Sequence, residues 1–246
     1  MADRRSRRVL VERLSSLALL LGAGAILAAL IAAVGSGQGW WHFTAAFFVL
    51  RLAFFAALAG GVAALLALLL PIRDRRRRYT GMALTGLVLS AVFASYIGIK
   101  ARSARAAAPI HDITTNLEDV PRFYRLRVRE DNLANIPNLG RTDLDDMPPE
   151  ERWMTIHREA YPDLRTIHVP WSHKETIQRA ANLPREREWE FATISPDGGV
   201  MEATATSLFF RFKDDVVLRA RRAPQGGSFV DMRSISRVGV SDTGAN

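Results

Sequence analysis

The sequence predicts an α+β protein in which three N-terminal transmembrane helices precede a soluble domain containing an antiparallel β-meander and one or two helices. Two observations support this prediction. Three long apolar stretches lie within the first 99 residues, and short alternating segments separated by turn residues follow from residue 188. The predicted divisions are a basic cytoplasmic leader (1–13), a three-helix membrane region (14–99), a linker (100–108) and an extracytoplasmic α+β domain (109–246).

Each apolar stretch is long enough to cross a hydrocarbon core about 30 Å thick. Residues 14–34 form the first, and their length exceeds the roughly 7–15 residues of a cleaved signal peptide. The second apolar stretch is longer than one straight span requires, so we expect residues 52–70 to cross and residues 40–50 to lie at the interface. Residues 80–99 form the third predicted span.

Two tryptophans and one arginine mark the predicted outer interface. Trp40 and Trp41 follow a glycine-rich turn, where tryptophan anchors a chain at headgroup level. Arg51 stands alone in an apolar stretch, and we expect it to extend its guanidinium group to the interface. The alternative, an Arg51 that lines a conduction path, is less favoured because no acidic residue within a span could pair with it.

A cluster of arginines between the second and third spans determines the predicted orientation. Positive residues near span ends remain cytoplasmic, and ten arginines in the leader and this loop outweigh the three cations after the third span. We therefore predict a multi-pass protein of the bacterial inner membrane with a cytoplasmic N-terminus and a periplasmic C-terminal domain. The loop arginines are Arg73, Arg75, Arg76, Arg77 and Arg78.

The basic character of the chain comes from the membrane region. Residues 1–99 contain 11 Lys and Arg against 3 Asp and Glu, whereas residues 109–246 contain 19 against 22. A nucleic-acid-binding domain would need a basic surface of its own, so we predict no nucleic-acid partner. The chain contains no cysteine, which excludes disulfides, thiolate metal ligands and a cysteine nucleophile.

Within the soluble region, the pattern predicts a strand at 165–171, then a helix at 174–183 that is capped by Ser172 and stopped by Pro184. Four strands connected by short turns follow, which is typical of an antiparallel meander. Asp214 and Asp215 fall in a turn and are expected to face solvent or to cap the hairpin. The remaining predictions are strands at 188–195, 200–212, 216–222 and 229–236, a short helix at 150–160, and a half-exposed strand at 122–129.

Three segments resemble a family of uncharacterised proteins, a domain of unknown function in bacteria with relatives in photosynthetic eukaryotes. They are PIHDITT (109–115), FKDDVV (212–217) and VDMRSISRVG followed by SDTGAN (230–239 and 241–246). The resemblance covers the region from Pro109 onward, with the last segment the most specific. It implies helices ahead of the domain and a further helix after the equivalent of Asn246, which this sequence does not contain. It implies no catalytic mechanism.

The last of these segments concentrates acids, guanidinium groups and hydroxyls within sixteen residues. Alternation places Asp231 and Arg233 on one face of a strand and Ser236 on the other. We favour a polar network in which arginines pair with aspartates. The alternative is an anion or headgroup site with Arg233 and Arg237 as donors. The candidate binding residues, including two from the first resembling segment, are Asp231, Arg233, Ser236, Arg237, Asp242, Asn246, His111 and Asp112.

Three functional hypotheses follow. The first is a membrane-anchored, non-enzymatic accessory or assembly protein whose exported domain binds a partner in a membrane protein complex. The second is a module that binds a membrane lipid or another amphiphile. The third and weakest is a hydrolase or metal-dependent enzyme that uses His168, Asp231 or Asp242. The histidine spacing favours no metal site, and no motif indicates a cofactor.

Overall fold

The computed structural model describes residues 2–70, 77–134, 136–138 and 140–239, with the side chains of the described residues from Arg5 onward. The chain divides into two compact units. One comprises residues 1–102 together with 208–211, and the other comprises residues 103–207 and 212–246. Arg73, Arg75, Arg76, Asp242 and Asn246, which the sequence singled out, lie outside the described residues.

Three helices form the first unit: α1 (Ala2–Gly37), α2 (Phe43–Leu69) and α3 (Arg77–Ala106). Each contains a stretch long and apolar enough to cross a membrane. The second helix begins earlier than its predicted span, because the ring nitrogen of His42 caps it by accepting from the Thr44 N–H. The third continues to Ala106, so most of the predicted linker is helical.

Small residues bring these helices close together. Ala25, Ala29, Ala53 and Ala57 share one buried cluster, as expected where backbones approach closely. One close approach is at Gly86, where an added Cβ would lie 2.6 Å from the carbonyl carbon of Ala18. A larger side chain at Gly86 therefore cannot fit without separating the helices.

The predicted interfacial residues lie on exposed surfaces of this unit. Trp40 is exposed, and Trp41 donates from its indole N–H to the carbonyl of Ala32 over 2.9 Å. Arg51 is exposed within α2, and Arg77 and Arg78 begin α3. Their roles at a bilayer remain predictions.

The second unit is an α+β domain built around one antiparallel sheet. Its helices are α4 (Pro149–Ala160), α5 (His173–Ala180) and α6 (Asn182–Glu186), with a short 3-10 helix at Thr142–Leu144. Its strands are β1 (Asp112–Thr114), β2 (Ile167–Val169), β3 (Glu190–Ser195), β4 (Val200–Thr206), β5 (Lys213–Arg222) and β6 (Ser228–Ser236).

The strand order is β1-β6-β5-β4-β3, and β2 also pairs with β6. The predicted meander is confirmed, since β3 to β6 follow one another in the sheet. Strand β1 was not predicted, because three residues are too few to show an alternating pattern. It pairs with the end of β6, with Asp112 opposite Ile235, while β2 pairs with the beginning of β6.

Helix α5 begins and ends near the predicted positions. The Ser172 hydroxyl accepts from the Glu175 N–H over 3.2 Å, which confirms the predicted N-cap. The stop at Pro184 was wrong, because α5 already ends at Ala180 and Pro184 lies inside α6. Proline is tolerated there because the first turn of a helix needs no internal N–H bond.

The two faces of the sheet differ in chemistry. One face is apolar and packs against Ile177 of α5. Its residues in this cluster are Met201, Leu218, Ala220 and Val230. Side chains alternate along a strand, so the intervening residues all point to the opposite face. We call that opposite surface the polar face; its buried or half-buried members include Asp112, Glu202, Asp215, Arg219, Asp231 and Arg233.

The predicted strand at 122–129 is wrong, since this segment contains no strand. Its backbone N–H groups at Tyr124, Arg125 and Leu126 all donate to the carboxylate of Glu202. Donors used in this way are unavailable to a neighbouring strand.

Candidate functional site

Asp231 lies at the centre of the polar face and is completely buried. Its carboxylate accepts from Arg219 over 2.9 Å, from Arg221 over 2.8 Å and from the Thr166 hydroxyl. The strand register places Arg219 directly opposite Asp231, which explains the pairing. Burial alone would raise the pKa of Asp231, but the hydrogen bonds from Thr166 and the two arginines lower it overall. Asp231 is therefore ionised and neutralised inside the domain.

A second acid–arginine pair joins β1 to β6. Asp112 is completely buried and accepts from Arg233 Nε over 2.9 Å and Nη2 over 2.6 Å, a bidentate pair. Asn132 adds a further bond to the same carboxylate at 2.6 Å. Arg233 also donates to the Pro121 carbonyl over 3.2 Å. Arg233 is thus bound to groups of its own domain.

A third pair lies towards the end of β6. Asp215 accepts from Arg237 Nε over 2.8 Å and Nη2 over 2.9 Å, and from the Thr204 hydroxyl over 2.7 Å. The bond to Asp215 raises the pKa of Arg237. The expectation that Asp215 faces solvent is wrong, because the turn lies earlier in the chain, between Thr206 and Lys213, and Asp215 is buried within β5.

Glu202 supports a loop instead of pairing with a cation. It is completely buried, and its two oxygens accept from Tyr124 N over 2.6 Å, Leu126 N over 2.8 Å and Arg125 N over 3.1 Å. Three consecutive N–H groups directed at one carboxylate fix the backbone of this segment. We call residues 122–129 the arginine loop.

The arginine loop presents cations to solvent. Arg122, Arg125 and Arg127 are exposed, and within the described part of the chain none of their guanidinium groups has an ion-pair or hydrogen-bond partner. Tyr124, between them, is 68% exposed. Arg129 differs, because Asp131 pairs with it over 2.6 Å and its Nη1 donates to the Gly239 carbonyl over 2.7 Å. Within the described residues, the loop therefore carries three unpaired guanidinium groups. Its backbone is bound to Glu202 at Tyr124–Leu126, and the Arg129 side chain binds Asp131 and the Gly239 carbonyl at the end of the loop.

A cleft of about 460 Å³ opens beside the loop. Its apolar surface comes from Phe123, Val128 and Ile235, and its charged rim combines Arg127 and Arg237 with other groups. The complete lining is Phe123, Arg127, Val128, Arg129, Glu130, Asp215, Ile235 and Arg237. Its size falls within the range of small-molecule pockets. An amphiphile with an anionic head is the kind of ligand this combination suits.

The structure brings together part of the predicted site. Asp231 and Arg233 do lie on one face of the strand, but each binds a different partner. The backbone N–H of Ser236 donates to the carbonyl of His111 over 3.0 Å, and the His111 side chain is buried. A binding role for any of these residues remains a prediction. Sequence reasoning missed Glu202, Arg219 and Arg221, although acids and arginines at alternating positions of a strand could have indicated a polar face.

The residues proposed for an enzyme take part in other contacts. His168 Nε2 lies 2.8 Å from the Gly226 carbonyl oxygen, and its ring packs on Phe229. The Asp231 carboxylate is bound by arginines as described. Among the residues that the structure describes, no three His, Asp or Glu side chains converge into a group that could hold a metal ion.

His157, on α4, is a buried histidine that contacts β1. Its Nε2 accepts from the Thr114 N–H over 3.0 Å, which requires a neutral ring. Burial lowers the pKa of His157, opposed in part by the nearby Asp112 carboxylate.

We expect the domain to lose stability as the pH falls below about 6.5, the ordinary pKa of histidine in the unfolded chain. Below that value the unfolded state binds a proton at His157 that the folded state does not, so acid favours unfolding until the folded pKa is passed. Denaturant unfolding of the full chain at pH 7 and pH 5 tests this. His157→Gln keeps an acceptor for Thr114 and should reduce the difference, whereas the control His173→Gln should retain it. An equal pH response in both variants would contradict the prediction.

The geometry defines a class of protein: a chain with three candidate membrane spans and an α+β domain whose sheet carries an internally paired polar face. The chain belongs to the family described as "Protein of unknown function (DUF1499)", whose model matches residues 112–246. This match confirms the suspected resemblance to an uncharacterised family. No curated protein and no solved structure matches the chain.

Proposed function

We propose that this protein is a membrane-anchored, non-enzymatic binding protein whose folded domain recognises an acidic surface of a protein partner within a membrane complex. The observation that carries this proposal is the arginine loop. It exposes Arg122, Arg125 and Arg127 beside Tyr124, and no group among the described residues pairs with their guanidinium ends. Arginine and tyrosine are among the residues that contribute most to protein–protein binding.

The contrast with the neighbouring arginines supports this assignment. Arg219, Arg233 and Arg237 are each bound to a buried or nearly buried aspartate, so they are committed to the fold. Their removal would leave a carboxylate uncompensated inside the domain. Among the described residues, no carboxylate pairs with Arg122, Arg125 or Arg127 of the arginine loop. An acidic partner would supply their counter-charges.

The support from Glu202 makes the loop suited to binding. A flexible arginine-rich segment would lose backbone freedom when it binds, which weakens affinity. Here the backbone from Tyr124 to Leu126 is already fixed by three hydrogen bonds to one carboxylate. Only the arginine side chains remain to be ordered by the partner.

For the membrane arrangement, we propose a cytoplasmic N-terminus and a domain on the opposite side, the periplasm of a bacterial inner membrane. The support is the excess of arginines in the leader and between the second and third helices. Three spans also require that the end of α1 and the end of α3 lie on the same side of the membrane.

The test is purification of the full chain from its native membrane in mild detergent, with mass spectrometry of co-purifying proteins and lipids. We expect membrane subunits in stoichiometric amount, and at least tenfold less of them with Arg122→Gln, Arg125→Gln and Arg127→Gln combined, about 1.4 kcal/mol or more of binding free energy. Because these three side chains pair with none of the residues that the structure describes, the fold should be unaffected.

A matched control has the same change in net charge elsewhere on the domain. Arg165, Arg187 and Arg222 are exposed, and their combined replacement by Gln should leave the co-purification intact. Equal loss in both triple variants would indicate non-specific charge attraction. Retention of the partner in the loop variant would contradict the proposal.

The cleft beside the loop favours a second candidate, the binding of a lipid or another amphiphile with an anionic head. Phe123, Val128 and Ile235 could contact an apolar chain while Arg127 and Arg237 approach a phosphate or carboxylate. One defined lipid retained by a protein without stoichiometric subunits would favour this candidate. Replacing Ile235, which lines the cleft, by a polar residue should then release the lipid.

A further inference from the structure

The hairpin between β4 and β5 ends in an exposed apolar segment, residues 207–212, which we call the hairpin tip. Leu208 is 80% exposed and Phe209 is 46% exposed. The tip has a defined conformation, because Ser207 N donates to the Phe212 carbonyl over 2.8 Å and Phe212 N donates to the Ser207 hydroxyl over 2.8 Å. Arg211 adopts a positive φ of 56° at the bend. The apolar side chains are thus held outward by a closed loop.

The strand register shows which end of the sheet carries the tip. Asp112 is opposite Ile235, which is opposite Asp215, so the beginning of β1 and the beginning of β5 lie in the same row. The tip lies directly beyond that row, since Thr206 pairs with Lys213. The chain reaches β1 within six residues of the end of α3. The tip therefore lies at the end of the sheet where the chain arrives from its third candidate span.

The opposite end of the sheet has a different composition. The β3–β4 and β5–β6 turns, residues 196–199 and 223–227, meet there, because Val200 pairs with Arg219 and Arg222 pairs with Ser228. These turns contain Asp197, Gln225 and glycines, without a large apolar side chain. Exposed Leu and Phe occur at the end of the sheet where β1 begins, and polar turns occur at the far end.

We propose that the hairpin tip inserts Leu208 and Phe209 into the interface of the same bilayer that the three helices cross. The occupant of this apolar surface is lipid, because the tip shares its end of the sheet with the entry from α3 and carries Arg211 at its bend, exposed and able to reach lipid phosphates. The helices and the tip would then hold the domain at more than one point. This inference is independent of the partner proposed for the arginine loop.

The absence of cysteine from the chain permits single-site labelling without other changes. We would introduce Leu208→Cys or Gln225→Cys into the full chain, attach the fluorophore NBD, and reconstitute each protein into phosphatidylcholine–phosphatidylglycerol nanodiscs. Lipids with a spin label near the headgroup quench NBD that lies about 5–10 Å inside the interface. A second label at the tip, on Phe209→Cys, shows whether the result at position 208 depends on the attachment site.

We expect NBD at 208 and at 209 to emit at shorter wavelength than at 225 and to be quenched at least about threefold more strongly by the shallow spin label. Adding Phe209→Asp to the protein labelled at 208 should reduce that quenching towards the value at 225. Emission typical of water at both tip positions, with the sheet amides still protected from hydrogen exchange, would overturn the proposal. So would quenching equal to that at Gln225.

Discussion

Replacing Asp231 by alanine is expected to lower the free energy of unfolding of the domain by about 3–5 kcal/mol, the usual cost of removing one partner of a buried ion pair. Arg219, whose side chain is only 15% exposed, would lose its main buried counter-charge. Arg221 contributes less to this cost because it is 41% exposed and water screens its charge. The Thr166 hydroxyl would also lose its acceptor.

Hydrogen exchange of the full chain in detergent is the appropriate measurement, because amides of β5 and β6 exchange only when the sheet opens. These amides should lose protection in the Asp231→Ala variant, while those of the three long helices should change little. Asp197→Ala provides the control, since Asp197 pairs with Lys174 on the surface and its side chain is 84% exposed. Unchanged protection of β5 and β6 in Asp231→Ala would show that the pairing does not stabilise the sheet.

Replacing Glu202 by glutamine should produce the second-largest effect, a loss on the order of 3 kcal/mol with the change concentrated in the arginine loop. Glutamine has nearly the same shape, but it has no charge and only one acceptor oxygen for three N–H donors. One donor of the Tyr124–Leu126 segment would then face the amide NH₂ group in a buried site. We expect the loop amides to exchange faster than those of β4.

Glu190→Gln is the matched control, because Glu190 lies on the neighbouring strand and its side chain is 75% exposed. Glu202→Gln should also weaken binding of the acidic partner although it removes no arginine, since the loop would be ordered only on binding. Full partner binding by a protein with rapidly exchanging loop amides would contradict the role assigned to the support from Glu202.

The parts of the fold that depend on local periodicity could be predicted from the sequence. Apolar length predicts the three candidate spans, and period-two alternation with short turns predicts β3 to β6. The Ser172 cap is also local, because a hydroxyl three residues before an N–H is visible in the sequence. Errors occurred at the ends of elements, in the three-residue strand β1, which was missed, and at 122–129, where no strand forms.

The pairing of charges could not be predicted, because it depends on which strands are neighbours. Arg233 binds Asp112, which is 121 residues earlier in the chain, through a strand too short to recognise. Asp215 appeared to be a turn residue until the register placed it beside Arg237. The alternation of arginines with apolar residues at 122–129 resembled a strand, but the backbone N–H groups of Tyr124, Arg125 and Leu126 donate to the Glu202 side chain instead of to a neighbouring strand.

The polar face has a consequence for how accurately the strands find their partners. Side chains repeat with a period of two, so a shift of β6 by one residue against β5 would turn Asp231 and Arg233 towards α5 and its apolar cluster. The same shift would move Val230 to the polar face, among the arginines. The apolar face and the polar face would therefore both lose stabilising contacts. A folding intermediate with this shifted register would bury charged side chains in the apolar core and leave buried carboxylates unpaired. The difference in free energy between the two registers therefore disfavours incorrect strand alignment during folding.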